Sequence, residues 1–244
     1  MKMKGDKIMF KEIKTTNQKI KLIIWSILIF ILGLLCSYLI ISLINNNSLS
    51  SLPKPEITGG ERGMLGIDKN INEETIDKYL GRSDSVYRDM RMLKDPGNYE
   101  AIGGDSYLSG TIKGFEVVPY PYLTKVEGLP EVVGESYTGP TLFTHNSDGT
   151  YTANYKESLE YLEYYFPKDK YIFLMCGGGG YAGMTKNLLV SLGWNVDKIY
   201  DIGGYWYYNG ENNITIKKTI NGETSYDFWK LTYHDIDFNT LTKA

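Results

Sequence analysis

Residues 170–182 read Lys-Tyr-Ile-Phe-Leu-Met-Cys-Gly-Gly-Gly-Gly-Tyr-Ala. An apolar strand that runs into four glycines and straight out into a helical pattern leaves few folds open. The helix is marked by Met184, Leu188, Leu189 and Leu192, spans about 183–192, and stops at Gly193. A second apolar run, Val196 to Ile202, follows at once and ends in Gly203-Gly204. Strand, tight loop, helix and strand in this order form the unit of a parallel α/β sheet. Ligands in such sheets bind beyond the carboxyl ends of the strands, where Cys176 falls.

The rest of the chain extends this reading. Asn72 is placed to cap a short helix over 73–80, stopped by Gly81. Residues 85–91 and 115–118 read as strands, the second closed by Pro119 and Pro121. Residues 140–155 read as a hairpin turning at Asn146-Ser147-Asp148-Gly149, followed by a helix at about 155–166. A further hairpin over 213–232 turns at Asn221-Gly222. The expected fold is an open, mostly parallel α/β sheet flanked by helices, with two added hairpins.

Residues 22–44 form 23 positions without a formal charge. As a helix rising about 1.5 Å per residue, such a run covers a hydrocarbon core of roughly 30 Å. A cleaved signal would have a shorter apolar region, about 7–15 residues, ending in small residues. Ser37-Tyr38-Leu39 is a poor cleavage pattern, and Leu35 before Cys36 does not suit a lipoprotein signal. Residues 1–21 carry seven lysines against Asp6 and Glu12, a net of +5. This bias predicts a cytoplasmic basic tail (1–21), a membrane-spanning helix (22–44), a polar linker (45–60) and an extracytoplasmic domain (61–244). The remainder of the chain has 19 basic and 27 acidic residues, a net of −8, which makes it a poor nucleic-acid binder.

Cysteine usage narrows the chemistry. Cys36 falls in the apolar run, so Cys176 is the only cysteine of the domain and no internal disulfide can form there. His145 and His234 are the only histidines, and neither has a second ligand at metal spacing. No metal or cofactor is expected. Inward-facing amides of Gly177, Gly178, Gly179, Gly180, Tyr181 and Ala182 at a helix N-terminus would favour negative charge. The reading predicts a stabilised thiolate at Cys176, at the mouth of a pocket, with the loop amides aimed at a common point. A buried strand cysteine before a flexible loop is the plainer alternative.

At this point the chain resembles the rhodanese-like family, sulfurtransferases that carry sulfur as a cysteine persulfide. Asp89-Met90-Arg91 is similar to the Asp-x-Arg that ends an early strand in this family. Gly110-Thr111-Ile112-Lys113-Gly114-Phe115-Glu116-Val117-Val118-Pro119 is similar to its Gly-His-Ile-Pro-Gly-Ala…Pro segment. Residues 171–205 resemble its strand, active-site loop, helix, strand and Gly-Gly. The resemblance covers roughly residues 80–210. It implies Cys176 as nucleophile, 177–182 as the persulfide-binding loop, and Asp89, Arg91, Gly203 and Gly204 as supporting residues, the glycines in a tight turn. The implied partners are a small sulfur donor and a thiol acceptor; no protein partner is indicated.

The departures bear on substrate. Thr111 and Lys113 stand where the family has histidine and proline, and Tyr181 where many family loops carry arginine. Anion binding would rest on backbone amides and the Tyr181 hydroxyl. A cysteine phosphatase would need a loop arginine to clamp phosphate, and Ala182 and Gly183 occupy that region. A non-catalytic rhodanese-like binding module and a thiol redox sensor remain the competing classes.

Overall fold

The computed structural model describes residues 21, 23–38, 40, 51–58, 66–127, 133–134 and 136–244. The chain divides into two compact units, Met1–Ser51 and Leu52–Ala244. In the first, positions 23–38 are helical, and Ser37 Oγ donates to Gly33 O at 2.9 Å. Among the described residues no helix is long and apolar enough to cross a membrane. Residues 22, 39 and 41–44 of the expected span lie outside the described ones, as do residues 59–65.

The second unit is α/β. Its strands, in chain order, are β1 (Ser85–Asp89), β2 (Gly97–Asn98), β3 (Gly110–Ile112), β4 (Glu116–Val117), β5 (Val133–Gly134) and β6 (Phe143–His145). They continue with β7 (Tyr151–Ala153), β8 (Tyr171–Cys176), β9 (Ile199–Gly204), β10 (Asn213–Thr215), β11 (Lys217–Ile220) and β12 (Glu223–Tyr226). The helices are α1 (Tyr120–Leu123), α2 (Ser158–Tyr165) and α3 (Gly180–Ser191). The central sheet has the order β4-β1-β8-β9, and every pairing in it is parallel.

β8 is the organising strand, buried on both faces. Side chains alternate along it, so Ile172, Leu174 and Cys176 face the cluster that holds Leu162, Leu188 and Leu189 of α2 and α3. Phe173 and Met175 face the other way, into a cluster with Ile71, Ile76 and Ile202. Paired positions on three strands stack their rings there. Phe173 lies 5.1 Å from Tyr87 at 10° and 4.9 Å from Tyr200 at 14°. A parallel sheet covered on both faces requires such continuous apolar runs, and 171–176 supplies one.

Several sequence expectations move. The helix expected over 73–80 is one 3-10 turn, Ile76–Tyr79. Asn72 Oδ1 accepts from Glu74 N at 3.1 Å, making a local turn rather than starting an α-helix. α3 begins three residues earlier than its apolar pattern, because Gly180 and Ala182 can enter the helix without contributing to that pattern. Val196–Lys198 is a 3-10 turn capped by the Asn195 side chain, and β9 starts at Ile199. Gly203 and Gly204 belong to β9 rather than to a turn after it. The hairpin β6–β7 and the hairpin β11–β12 form as patterned. Asn221 and Gly222 both take positive φ, 51° and 84°, as a two-residue hairpin turn demands. β10 instead pairs antiparallel with β3, so 213–215 stands outside the hairpin.

Candidate functional site

β8 delivers Cys176 to the carboxyl edge of the sheet, and the chain turns within three glycines. Gly179 adopts φ 109°, ψ −18°, and α3 starts at the next residue. A side chain at Gly179 would be strained by that backbone conformation alone. The turn brings Gly179 N to 3.0 Å from Cys176 Sγ. The amides of Ala182 and Tyr181, in the first turn of α3, lie near enough to this sulfur to pull its pKa down, but only Gly179 N is within hydrogen-bonding geometry.

The thiolate expectation is corrected here. Cys176 is 3% exposed. Burial pushes its thiol up to about 11, against the pull of the three amides, and Asp201 adds to the rise. At neutral pH the sulfur holds its proton. A cavity of about 470 Å³ runs beside α3, lined among others by Gly183, Met184, Lys186, Lys125, His145 and Asp201, and Cys176 is not part of its wall.

Trp206 covers the loop, and the sequence reading did not single it out. Its backbone N donates to Gly177 O at 3.1 Å. A Cβ on Gly177 or on Gly104 would collide with its indole, so the ring lies between these two backbones. Tyr99 packs beside it at 5.3 Å and 51°. The indole Nε1 is buried and has no hydrogen-bond partner. Gly204 faces Cys176 across a register shift in the β8–β9 pairing. A Cβ on Gly204 would strike Gly177 O, and one on Gly203 would strike the Glu73 carboxylate. The two glycines thus permit close approach of β9 to the loop.

Tyr181 does not offer its hydroxyl to the loop. The hydroxyl donates to Asp95 Oδ2 at 2.7 Å and lies 3.0 Å from the Tyr99 hydroxyl. Its ring stacks on Tyr120 at 5.4 Å and 27°. Asp95 is itself buried, and its Oδ1 accepts from Gly97 N at 2.9 Å. Tyr181 is thus a phenol anchored to the Asp95 side chain.

Asp89 and Arg91 meet at the end of β1, one strand from Cys176. Arg91 Nη2 lies 2.6 Å from Asp89 Oδ2, and Arg91 Nε donates to Asp89 Oδ1 at 2.9 Å. Thr111 Oγ1 donates to Asp89 Oδ2 at 2.8 Å, and Arg91 Nη2 also reaches Gly110 O at 2.6 Å. This fork locks β1 to β3. Arg91 Nη1 is buried without a partner, and the guanidinium lies 4.4 Å from the Tyr205 ring centroid.

On the other side of β8, Asp201 is 2% exposed. Its Oδ1 accepts from Gly203 N at 2.9 Å, while Oδ2 has no partner. Burial raises its carboxyl well above the usual carboxylate range. Lys186 on α3 is buried nearby and, for the same reason, held below the usual lysine range. Among the described residues, no group of three or more His, Cys, Asp or Glu could hold a metal ion.

Compared with family models, with curated proteins and with solved structures, the chain finds no match.

Proposed function

We propose that this chain is a membrane-anchored, extracytoplasmic rhodanese-like sulfurtransferase that carries sulfur as a Cys176 persulfide. The observation that carries the reading is the placement of Cys176 Sγ at the carboxyl end of a parallel strand, in a glycine loop that enters α3 and brings Gly179 N to 3.0 Å from the sulfur. Loop amides stabilise negative charge on the sulfur and on a second sulfur bonded to it. Cys176 loses its proton and attacks the outer sulfur of a donor. The donor's S–S bond breaks, and the departing sulfur takes the electron pair and the proton. A thiol acceptor then attacks the outer sulfur of the persulfide and restores Cys176, so one transfer becomes two steps.

The burial of Cys176 favours a second reading, a non-catalytic binding module on the same scaffold. Intact mass of the full chain after exposure to a sulfane donor separates the two. The transferase gains one sulfur atom, lost in Cys176→Ser, and passes it to an added thiol. An unmodified Cys176 in the folded chain sinks the transferase. A gain of one oxygen under peroxide, without sulfur loading, would indicate a redox sensor. For topology, the lysine-rich tail predicts that protease added to intact cells digests the domain; full protection refutes it.

A further inference from the structure

We propose that the cavity beside α3 is a binding site for a small organic monocarboxylate with an apolar body, its carboxylate seated on the Lys186 side chain. The site stands apart from sulfur transfer, since Cys176 is not part of its wall. Gly183, Lys186, Asn187 and Val190 recur at helical spacing, so one face of α3 lines the cavity, and Gly183 adds no side chain to it. The volume, about 470 Å³, is in the range that holds small ligands. Two donors in the wall belong to buried side chains, Lys186 at 7% exposed and Tyr120 at 2%. Among the described residues neither the Lys186 amine nor the Tyr120 hydroxyl has a hydrogen-bond partner. Stacking on Tyr181 at 5.4 Å holds the Tyr120 ring in place. Buried donors without acceptors are rare in folded proteins, and a buried cation without a counter-ion is costly.

The surrounding charges set the sign of the ligand. Asp68, Asp197 and Asp201 act on Lys186 through space, and Glu127 stands in the wall. Each of them is engaged elsewhere or uncharged. The Asp68 carboxylate accepts from the amides of Glu56, Asn70 and Ile71. Asp197 pairs with Lys54 at 3.1 Å, and Glu127 Oε2 lies 3.1 Å from His145 Nδ1. Burial raises the Asp201 carboxyl well above the usual carboxylate range, so it supplies little negative charge at neutral pH. Lys125, on the exposed side of the wall, forms no ion pair among the described residues. Two lysines thus face the cavity with no carboxylate set aside for them. A ligand carboxylate answers Lys186 with a charge-assisted hydrogen bond, and an apolar body fits against Met184, Tyr151 and Val190. A phosphate dianion fits less well. The wall has no arginine, and the Gly183 amide is already bonded to Gly179 O at 3.0 Å.

The test titrates the full chain by calorimetry with hydrocinnamate, with its neutral amide hydrocinnamamide and with inorganic phosphate. We expect the acid to bind at least about ten-fold more tightly than the amide, the scale of one charge-assisted hydrogen bond. Lys186→Met keeps the length of the stem and removes the charge; it should bring the acid down to the affinity of the amide. Tyr120→Phe should weaken the acid about three- to ten-fold, the scale of one neutral hydrogen bond. Thermal unfolding establishes that each variant is folded, and Lys186→Gln takes the place of Lys186→Met if the latter is not. Equal affinity for acid and amide in the wild type overturns the proposal without any variant. Binding of neither, or an acid affinity unchanged in the folded Lys186 variant, overturns it too. Phosphate binding as tight as hydrocinnamate overturns the carboxylate class. Cys176→Ser should leave the titration unchanged, so a chain that loads no sulfur yet prefers hydrocinnamate refutes the transferase alone.

Discussion

Asp89 and Asp201 make a controlled comparison. Both are buried aspartates on parallel strands, and they flank β8 and Cys176 from opposite sides. Asp89 accepts from the Arg91 guanidinium through both oxygens and from Thr111 through one. Asp201 has one backbone donor and an empty second oxygen. Equal burial therefore produces unequal chemistry. Asp89, with a full set of donors, serves as a joint. Asp201, with half a set, is pushed up by burial, and once ionised it opposes the thiolate beside it. The lesson is that partner count, not depth, separates scaffold from tunable group at this edge.

The largest effect should come from the joint. Asp89→Ala leaves the Arg91 charge buried and unpaired, a change worth about 3–5 kcal/mol, close to the whole stability of many domains. Denaturant unfolding should register it, and a loss below about 1 kcal/mol would mean that Arg91 finds water or another partner. Next comes the coupling to the thiol. Alkylation of Cys176 by iodoacetamide should rise about ten-fold per pH unit from neutral pH upward, because only the thiolate reacts. Its midpoint should lie near 11 and move down in Asp201→Asn, which removes the carboxylate that opposes the thiolate. A midpoint below 8 in the wild type would restore the preformed thiolate.

Thr111→Val deletes one of several bonds to Asp89, and should cost about 1 kcal/mol with no change in the pH profile of alkylation. The smallest effect is the pH trend of Asp201 itself. Its folded-state pKa is raised, so its stabilising contribution is complete below the ordinary carboxylate range and is lost as pH rises through the raised value. The wild type should gain thermal stability over Asp201→Asn as pH falls from 8 to 4; a gap that widens with rising pH would reverse the assignment.

The local features of this fold were legible in sequence because short-range chemistry fixes them. The apolar run of β8, the glycines after it, the α3 pattern and the Asn221-Gly222 turn each declare a geometry that neighbours only confirm. Cys176 was found the same way. Its protonation was not, because amides and burial pull in opposite directions and only packing fixes the balance. Asp95 and Tyr99 reach Tyr181 across 86 and 82 positions of sequence, from segments with little periodicity to flag them. Trp206 had a fainter signal, an aromatic cluster directly after Gly203-Gly204. β10 read as half of a hairpin because nothing local reveals that β3, far upstream, is its true partner.

The covering of the sheet's two outer strands bears on how the chain reaches this state. β4 is closed by residues 232–234, through Val117 N to Thr232 O at 2.8 Å and His234 N to Val117 O at 2.8 Å. β9 is closed by Asp68 N to Asp201 O at 2.7 Å. Both covers come from chain far from the strands they close, so they form only after costly loop closures. A nascent sheet passes through an interval with bare edges, when another chain can add to it. In the native protein these bonds tie the outer strands of the central sheet to other parts of the chain.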